Sequence, residues 1–298
     1  MDQLSFRSGF VAVIGRPNVG KSTLVNAFVG EKVAIVSDKP QTTRNRIMGI
    51  SNGEGWQLVF LDTPGIHLPR TKLGQMMLKS AKDALNGADA YVIMIDAQNT
   101  GERDHALVQE LANIKMPKFL TVNKIDIVPK ENLLALIKAF EVYPFSAVFL
   151  ISALQKDGIF DLQKALVDSM PVGPKYFPDD MITDQPERFL CSELIREKTL
   201  KNLRDEVPHG IGVEMMGMKL LNEDFMEIDA TVYCERDAHK RIIIGKNGEM
   251  LKKIGTEARL DIERLLNVHV NLKLFIKVRP GWRDRLDDLK TLGYYESK

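Results

Sequence analysis

The octapeptide at residues 15–22, Gly-Arg-Pro-Asn-Val-Gly-Lys-Ser, constrains the fold of this chain more than any other stretch. It follows a short apolar run, residues 10–14, and precedes an apolar-periodic stretch, residues 23–28. This pattern predicts a strand that enters a tight glycine turn and continues into a helix. Successive backbone N–H groups and the positive end of the helix dipole then converge on one small volume. That volume suits a polyphosphate.

Each residue type in the octapeptide has a role in such a site. Gly15 and Gly20 lack the Cβ that would keep the backbone away from the phosphates. Lys21 supplies positive charge to the terminal phosphates, and Ser22 offers a hydroxyl to Mg²⁺. A chance glycine turn is the alternative, but the four fixed positions would arise in roughly one chain in a hundred of this length. The predicted nucleotide contacts here are Gly15, Arg16, Pro17, Asn18, Val19, Gly20, Lys21, Ser22 and Thr23.

The rest of the first half alternates apolar runs with helical patterns. Four further runs are predicted to be strands, at residues 56–61, 91–96, 118–122 and 147–151. Helical patterns lie between them, for example at residues 73–85 and 104–114. Strands that alternate with helices form a mostly parallel sheet with helices on both faces. The first half is therefore predicted to have an α/β fold.

Two polar motifs are predicted to complete the phosphate site. A threonine of the pair at 42–43, in a polar loop, can reach the same Mg²⁺ while a γ-phosphate keeps the loop closed. Asp62 follows a predicted strand and lies where Mg²⁺ needs a carboxylate, and Gly65 can offer its N–H to the γ-phosphate. Alone, these motifs are typical of a solvated loop and a Pro-Gly turn, but their order favours a nucleotide site. The predicted contacts are Thr43, Asp62, Thr63, Pro64 and Gly65.

The tetrapeptide Asn123-Lys124-Ile125-Asp126 follows another predicted strand. The Asp126 carboxylate can accept two hydrogen bonds from the N1–H and N2–H₂ groups of guanine, which adenine does not offer. The motif therefore indicates GTP over ATP. A backbone N–H after the last strand of this half can meet the guanine O6, although that signal is weak by itself. The predicted contacts at the base are Asn123, Lys124, Asp126, Ser152, Ala153 and Leu154.

Length and composition indicate the number of domains, the kind of nucleic-acid binding that is possible and the cellular compartment. At 298 residues the chain exceeds one typical domain, and four prolines within residues 171–186 stiffen an extended connection. A net charge of +1 means that nucleic-acid binding needs a local patch. Two distant cysteines, no signal-peptide pattern and no long apolar run indicate a reduced cytoplasmic protein that does not span a membrane. The predicted bounds are a nucleotide-binding domain at 1–172, a linker at 173–187, a second domain at 188–280 and a tail at 281–298.

The second half begins with a predicted helix at 187–204 whose charged residues, Glu193, Arg196 and Glu197 among them, lie mostly opposite its apolar face. Period-2 patterns predict strands at 211–215, 226–234 and 268–278. The second of these places Cys234 on the apolar side, as a core cysteine rather than a reactive one. In the tail, Trp282 lies among arginines and either extends an RNA surface by stacking or packs the tail against the domain.

A Gly-x-x-Gly turn, Gly245-Lys246-Asn247-Gly248, precedes an amphipathic helix. Its glycines let the chain approach a nucleic-acid backbone, and the groove beside such a turn accepts about four unstacked bases. Basic residues outnumber acidic ones by six to three between residues 235 and 253, which favours an RNA patch over a capped helix with a solvated face. The predicted RNA contacts are Lys240, Arg241, Ile244, Gly245, Lys246, Asn247, Gly248 and Lys252.

Five segments match, in order, the signature segments of translation-factor-class GTPases: residues 15–22, 42–43, 62–65, 123–126 and 152–153. Within that class, Pro17-Asn18 and the tetrapeptide at 41–44 resemble the bacterial Era-like subgroup, as does the linker at 177–184. The element order around the Gly-x-x-Gly turn resembles a bacterial KH module. The resemblance implies an α/β P-loop GTPase domain followed by a smaller α+β type II KH domain.

The resemblance also implies a function. GTP closes the switch loops, the KH domain binds the 3′ end of 16S ribosomal RNA, and hydrolysis times release during assembly of the small (30S) ribosomal subunit. The residues expected in catalysis are Asn18, Lys21, Thr43, Asp62 and Gly65. Those expected at Mg²⁺ are Ser22, Thr43 and Asp62, and K⁺ is expected near Asn18. Ile66 stands where many GTPases carry a water-orienting glutamine, so unaided hydrolysis is expected to be slow. A monomer that binds GTP or GDP, with peripheral contact to the inner face of the cell membrane, completes the expectation.

Two functions of other classes stay open on the sequence alone. The chain can be an adaptor in a tRNA-modifying or membrane-associated complex, in which case no RNA affinity is expected with or without GTP. It can also be an RNA chaperone whose nucleotide site is only structural. In that case a Lys21→Ala variant would leave ribosome assembly normal.

Overall fold

The structure, a computed structural model, describes residues 6–39, 41–65, 71–84, 86–204 and 207–294. The chain forms two compact units. The first comprises the described residues among 1–34, 43–67 and 78–184, and the second comprises those among 35–42, 68–77 and 185–298. Two short segments from the first half of the chain, 35–42 and 68–77, therefore belong by their contacts to the second unit.

A six-stranded sheet forms the centre of the first unit. Its strands are β1 (Arg7–Gly15), β2 (Ile47–Gly53), β3 (Trp56–Asp62), β4 (Ala90–Asp96), β5 (Lys118–Asn123) and β6 (Ala147–Ile151). Their order is β2-β3-β1-β4-β5-β6, and all neighbours are parallel except β2, which is antiparallel to β3. The mostly parallel sheet predicted from the sequence is confirmed.

Helices cover both faces of this sheet. The helices described in this half of the chain are α1 (Lys21–Val29), α2 (Lys72–Asp83), α3 (Glu102–Leu111), α4 (Lys130–Phe140) and α5 (Ile159–Ser169). Residues 72–77 of α2 belong by their contacts to the second unit. Val11 and Val13 of β1 pack with residues of α1 and α5, whereas Ala12 and Ile14 pack with residues of α3 and α4. Successive strand residues point to opposite faces, so the two cores lie on opposite sides of the sheet.

The sheet order brings the sequence motifs to one end of the first unit. β1 lies between β3 and β4, where the strand order reverses direction. Ligands of open α/β sheets bind at the carboxyl ends of the strands beside such a point. Gly15, Asp62 and Asn123 are the last residues of β1, β3 and β5, so their loops converge at that end.

Most of the predicted linker packs against the first unit. Through Asp184 it belongs to the first unit. The Gln57 amide oxygen accepts hydrogen bonds from the backbone N–H groups of Tyr176 at 2.8 Å and Phe177 at 3.0 Å. Ile50 N–H donates to the Ile182 carbonyl oxygen at 2.9 Å. The linker is therefore an extended segment packed along β2 and β3, and the predicted domain bounds stay a prediction.

The second unit is a three-stranded sheet with helices. Its elements are α6 (Glu187–Asn202), β7 (Gly212–Asn222), β8 (Phe225–Cys234), α7 (Asp237–Ile244), α8 (Glu249–Leu266), β9 (His269–Val278) and α9 (Leu286–Thr291). The strand order is β7-β8-β9, with β7 antiparallel and β9 parallel to β8. The Cys234 thiol lies in the core, and burial raises its pKa, so the prediction of a core cysteine is confirmed. None of the helices in the described ranges combines the length and apolar character needed to cross a bilayer.

Glu193, Arg196 and Glu197 of α6 are buried, which their predicted position opposite the apolar face did not reveal. Arg196 is fully buried and donates to the Glu193 carboxylate at 2.7 Å and 2.5 Å, and also to the Thr42 carbonyl oxygen. A Glu197 carboxylate oxygen accepts from the Val36 N–H at 2.9 Å. The segment 35–42 supplies these partners, and its distance along the chain explains why helical periodicity could not reveal them.

Trp282 packs inside the second unit, so the packing interpretation of the tail is confirmed. Its side chain is fully buried, and its indole N–H donates to the Gly210 carbonyl oxygen at 2.9 Å. Two neighbouring arginines, Arg279 and Arg283, also form contacts within the unit. Arg283 donates to both carboxylate oxygens of Glu235 at 3.1 Å and 2.7 Å, and Arg279 pairs with Asp288 at 3.2 Å. This cluster therefore fastens the tail to the domain.

Candidate nucleotide and RNA sites

The phosphate loop between β1 and α1 requires its two glycines. Gly20 precedes α1 with a φ of 105°, in the left-handed region. A Cβ there would lie 2.2 Å from the Asn123 Nδ2 atom. A Cβ at Gly15 would lie 2.6 Å from the Met94 carbonyl oxygen. The loop is thus pressed against the ends of β4 and β5, and its N–H groups frame the start of the helix.

Lys21 lies inside this loop. Its ammonium is buried and donates to the carbonyl oxygens of Gly15 at 3.1 Å and Arg16 at 3.0 Å. Burial lowers the pKa of Lys21 to about 8, and the nearby Asp62 carboxylate partly opposes that shift. A nucleotide polyphosphate in the loop would supply the negative charge that such a buried ammonium favours.

The three residues predicted to hold Mg²⁺ come together. The Ser22 hydroxyl donates to Asp62 Oδ2 at 2.6 Å, and the Thr43 hydroxyl lies 2.9 Å from Ser22 Oγ and 3.4 Å from Asp62 Oδ2. Burial raises the pKa of Asp62. Its other oxygen, Oδ1, is buried and has no hydrogen-bond partner within the described ranges. An all-oxygen cluster with an unsatisfied carboxylate oxygen fits a hard cation such as Mg²⁺. Thr42 instead donates its hydroxyl to the Lys39 carbonyl oxygen at 2.6 Å.

The motif at 62–65 lies against the phosphate loop. The Thr63 hydroxyl donates to the Val13 carbonyl oxygen at 2.8 Å, which ties the start of the motif to β1. A Cβ at Gly65 would lie 2.7 Å from the backbone nitrogen and the ring of Pro17. Gly65 therefore lies close enough to the phosphate loop for its N–H to reach a phosphate bound there. The expectation about Ile66 lies outside the described residues.

Asn123 links the phosphate loop to the predicted base loops. Its Nδ2 donates to the Val19 carbonyl oxygen at 2.8 Å, and its Oδ1 accepts from the Ala153 N–H at 2.9 Å. Asp126 is exposed in the turn that follows β5, and Leu154 is exposed beyond β6. The Asn123 side-chain amide thus links the phosphate loop to the loop after β6, which is predicted to contact guanine.

Sequence reasoning missed two side chains that shape this site. Asp96, at the end of β4, accepts from the Lys124 ammonium at 2.6 Å. Asp104 pairs with Arg16 at 2.7 Å, so the Arg16 side chain turns toward α3 and only its backbone lines the loop. Asp96 ends a buried strand just as Asp62 does, and that signal could have identified it. Asp104 carries no comparable signal, because an acidic residue in the first turn of a helix is common.

The Gly-x-x-Gly turn of the second unit lies beside a groove. Gly245 has a φ of 73° and Gly248 a φ of 79°. A Cβ at Gly245 would lie 2.7 Å from the Met250 Cβ. The groove has a volume of about 490 Å³ and runs between α8 and β9, with Gly248, Lys252, Gly255, Arg259, Asn271 and Leu274 among its lining residues. Arg241, Lys246, Asn247 and Lys252 are exposed, whereas Lys240 and Ile244 are half-buried.

Comparison with known proteins gives the same two parts. Residues 10–124 match the family model described as "50S ribosome-binding GTPase", and residues 206–283 match the model described as "KH domain". The GTPase Era of Ruminiclostridium cellulolyticum is 50% identical over 297 residues, which cover 99% of this chain and 100% of that protein. The GTPase Era of Alkaliphilus metalliredigens is 51% identical over 294 residues, which cover 98% of this chain and 100% of that protein.

Solved structures agree over nearly the full length. The crystal structure of Era in complex with MgGDPNP and nucleotides 1506–1542 of 16S ribosomal RNA has a TM-score of 0.92 at 40% identity, and covers 97% of this chain and 99% of that one. An Aquifex aeolicus Era variant bound to GDP·AlF4⁻ matches with a TM-score of 0.92 at 40% identity. The residues matched by the two family models include the phosphate loop and the Gly-x-x-Gly turn, respectively. The chain therefore belongs to the Era family of GTPases, with a C-terminal KH domain.

Proposed function

We propose that this chain is a GTP-hydrolysing molecular switch that binds the 3′ region of 16S ribosomal RNA through its KH domain and assists 30S subunit assembly. The observation that carries the proposal is the cluster of Ser22, Thr43 and Asp62 oxygens within 2.6–3.4 Å of one another beside the phosphate loop. The complex of Era with MgGDPNP and 16S ribosomal RNA supports the choice of ligands.

The chain's own groups would bind and orient GTP as follows. Lys21 neutralises charge on the terminal phosphates from inside the loop, and Gly65 offers its N–H to the γ-phosphate. Thr43 lies beside Ser22, in the polar loop that a bound γ-phosphate would keep closed. The conformation of this loop would therefore depend on whether GTP or GDP is bound. Mg²⁺, held by Ser22, Thr43 and Asp62, would supply positive charge at the β- and γ-phosphates. Water attacks the γ-phosphorus, the bond to the β-phosphate oxygen breaks, and GDP and phosphate are released.

Asn18 is proposed to hold K⁺ near the phosphates. It lies in the phosphate loop with a φ of 66°, and a cation there would supply charge that a protein arginine supplies in other GTPases. GTP turnover should be faster in potassium buffer than in sodium buffer, and Asn18→Ala should abolish the difference. Equal rates in the two buffers for the unaltered protein would remove K⁺ from the mechanism.

Hydrolysis and RNA binding can be tested together. Asp62→Asn should lose GTP turnover, whereas Asp157→Asn, an exposed change in the loop after β6, should retain it. RNA affinity should be at least about fivefold higher with a non-hydrolysable GTP analogue than with GDP, the lower range of allosteric coupling. Equal affinity for ATP and GTP would contradict the switch, and absent RNA affinity would favour an adaptor. Normal ribosome assembly with Lys21→Ala would favour an RNA chaperone.

The remaining expectations about the cell also stay proposals. We expect the protein to act in the cytoplasm as a monomer, on the 30S subunit, with peripheral contact to the inner face of the cell membrane. Fractionation of cell extracts into ribosomal, soluble and membrane fractions, with and without RNase, would test them.

A further inference from the structure

The Gly-x-x-Gly turn contains an Asn-Gly pair, Asn247-Gly248. An asparagine followed by glycine is especially susceptible to intramolecular deamidation, because glycine has no Cβ to hinder the approach of its own backbone nitrogen to the preceding side chain. The sequence contains two more such pairs, Asn52-Gly53 and Asn86-Gly87. All three share the same local chemistry, so differences in their reactivity must come from the structure around them.

The fold leaves Asn247 open to this reaction. Its side chain is exposed in the short turn between α7 and α8, and its amide has no hydrogen bond within the part of the chain that the structure describes. Its φ of 53° lies in the left-handed region, which costs free energy for a residue with a Cβ. The Gly248 N–H donates to the Gly245 carbonyl oxygen over a long distance of 3.3 Å. The turn therefore opposes rotation at Asn247 only weakly.

Asn52 lies in the opposite environment. It belongs to β2, where it pairs with Gln57 of β3. Its Oδ1 accepts from Gln57 Nε2 at 2.7 Å, and its Nδ2 donates to the Asp179 carbonyl oxygen at 3.1 Å. Attack on this amide would break both side-chain hydrogen bonds and disturb the pairing of the two strands. The structure thus protects Asn52 and leaves Asn247 unprotected.

We propose that Asn247 is a site of spontaneous deamidation, and that the carboxylate formed there weakens RNA binding by the Gly-x-x-Gly turn. The Gly248 backbone nitrogen attacks Asn247 Cγ and forms a bond to it. The bond from Cγ to the amide nitrogen breaks, and ammonia leaves with the proton lost by the Gly248 nitrogen. Water then opens the resulting succinimide ring to give aspartate or isoaspartate. No atom changes oxidation state, and water is the co-reactant.

The new carboxylate lies where the turn is expected to meet an RNA phosphate. Lys246 precedes it, and α8 begins two residues after it, at Glu249. The lysine and the positive end of the helix dipole attract an anion to this place. A carboxylate built into the turn occupies that position permanently and repels a phosphate. This consequence rests on the RNA binding proposed above, whereas the deamidation itself does not.

Peptide mapping by mass spectrometry measures the deamidation directly. The full chain is incubated in mildly alkaline buffer made with isotopically labelled water, so that only product formed during the incubation carries the label. Asn247 should convert at least about tenfold faster than Asn52, equivalent to about 1.4 kcal/mol in activation free energy. Asn247→Gln should remove the label from that peptide, because glutamine closes the larger ring much more slowly. Conversion of Asn52 at an equal or higher rate would overturn the proposal.

RNA affinity tests the consequence separately. Asn247→Asp should weaken binding of an oligonucleotide from nucleotides 1506–1542 of 16S ribosomal RNA about fivefold, equivalent to about 1 kcal/mol. It should also lower the slope of log affinity against log salt by about 0.7, the value for one phosphate of a single strand. The matched control, Asn86→Asp, makes the same change in an exposed turn of the first unit and should have neither effect.

The incubated samples link the two measurements. The unaltered protein should lose RNA affinity as the labelled peptide accumulates, whereas Asn247→Gln should keep the affinity with which it started. If Asn247→Asp binds RNA as tightly as the unaltered protein, or if Asn86→Asp weakens binding equally, the proposed consequence is wrong. If the unaltered protein binds no RNA, the proposed RNA-binding function fails and this consequence with it, while the labelled peptide still decides the deamidation. Circular dichroism and thermal unfolding show that each variant is folded.

Discussion

Local motifs predict the residue types of the candidate nucleotide site, but not the partners of these residues. Gly15, Lys21, Asp62 and Asn123 could be predicted because each stands at a strand end or turn whose pattern spans a few residues. Their partners are distant along the chain. Lys124 pairs with Asp96 across 28 residues and Arg16 with Asp104 across 88, and no short pattern records such pairs.

Gly20→Ala should impair nucleotide binding more than its backbone strain alone explains. The new Cβ would meet the Asn123 amide at 2.2 Å and would also force a left-handed conformation on alanine. We expect a loss of about 2 kcal/mol or more in the free energy of GDP binding. Isothermal titration calorimetry measures it.

Gly30→Ala is the matched control for that change. Gly30 also has a positive φ, of 86°, but a Cβ there meets nothing within 4 Å. It should lower stability by about 1 kcal/mol and leave GDP affinity unchanged. Equal effects of the two substitutions on GDP affinity would mean that the contact with Asn123 does not matter.

Asp126→Asn should change the preferred base. The asparagine amide cannot accept both guanine N–H groups, but its NH₂ can donate to the 2-carbonyl of xanthine. We expect GDP affinity to fall by about 3 kcal/mol, roughly a hundredfold, and xanthosine diphosphate affinity to rise. Competition binding of the two nucleotides measures the ratio, with Asp157→Asn as the control. An unchanged ratio would show that Asp126 does not read the base.

The burial of residues in a strand or helix could be predicted where the sequence pattern of that element decides it. It could not be predicted where a distant segment decides it. β1 alternates between two cores as its period-2 pattern requires. In α6, helical periodicity correctly placed Leu194 and Ile195 in the core. It did not reveal that Glu193 and Arg196 are buried, because a charged face is ordinarily solvated and Arg196 finds its second partner, the Thr42 carbonyl oxygen, in the segment 35–42.

Arg196→Met should be strongly destabilising because it leaves the buried Glu193 carboxylate without its ion pair. The expected loss in the free energy of unfolding is about 3–5 kcal/mol. The double variant Arg196→Met with Glu193→Leu should recover most of that loss, since neither charge then needs a partner. Urea unfolding measures both. Lys253→Ala, at the solvent-exposed ion pair with Glu257, should cost about 1 kcal/mol at most. A double variant as unstable as the single one would contradict the ion-pair argument.

At the scale of the whole molecule, the division into two parts was predictable and the path of the chain between them was not. The proline-rich stretch and the change of pattern indicated two domains. The residues of each hydrophobic core come from one unit. The described residues of segments 35–42 and 68–77 belong to the second unit, although they lie in the first half of the chain. Contacts that form on folding determine this assignment, so the order of residues along the chain does not reveal it.

Separate cores predict separate thermal transitions. GDP at about a hundred times its dissociation constant should stabilise the first unit by about 2.7 kcal/mol and leave the second unchanged. Differential scanning calorimetry of the full chain, with and without GDP, should therefore show one transition that moves and one that does not. A single transition that shifts as a whole would mean that the two units unfold together.

The extended segment that runs along β2 also bears on solubility. β2 is an outer strand of the six-stranded sheet, and Thr183 bridges to Gly49 on its open side. Without that cover, unpaired N–H and C=O groups would offer a template to the same strand of another copy. A fragment that ends before residue 171 should therefore form oligomers at concentrations where the full chain does not, so the proline-rich stretch guards against self-association.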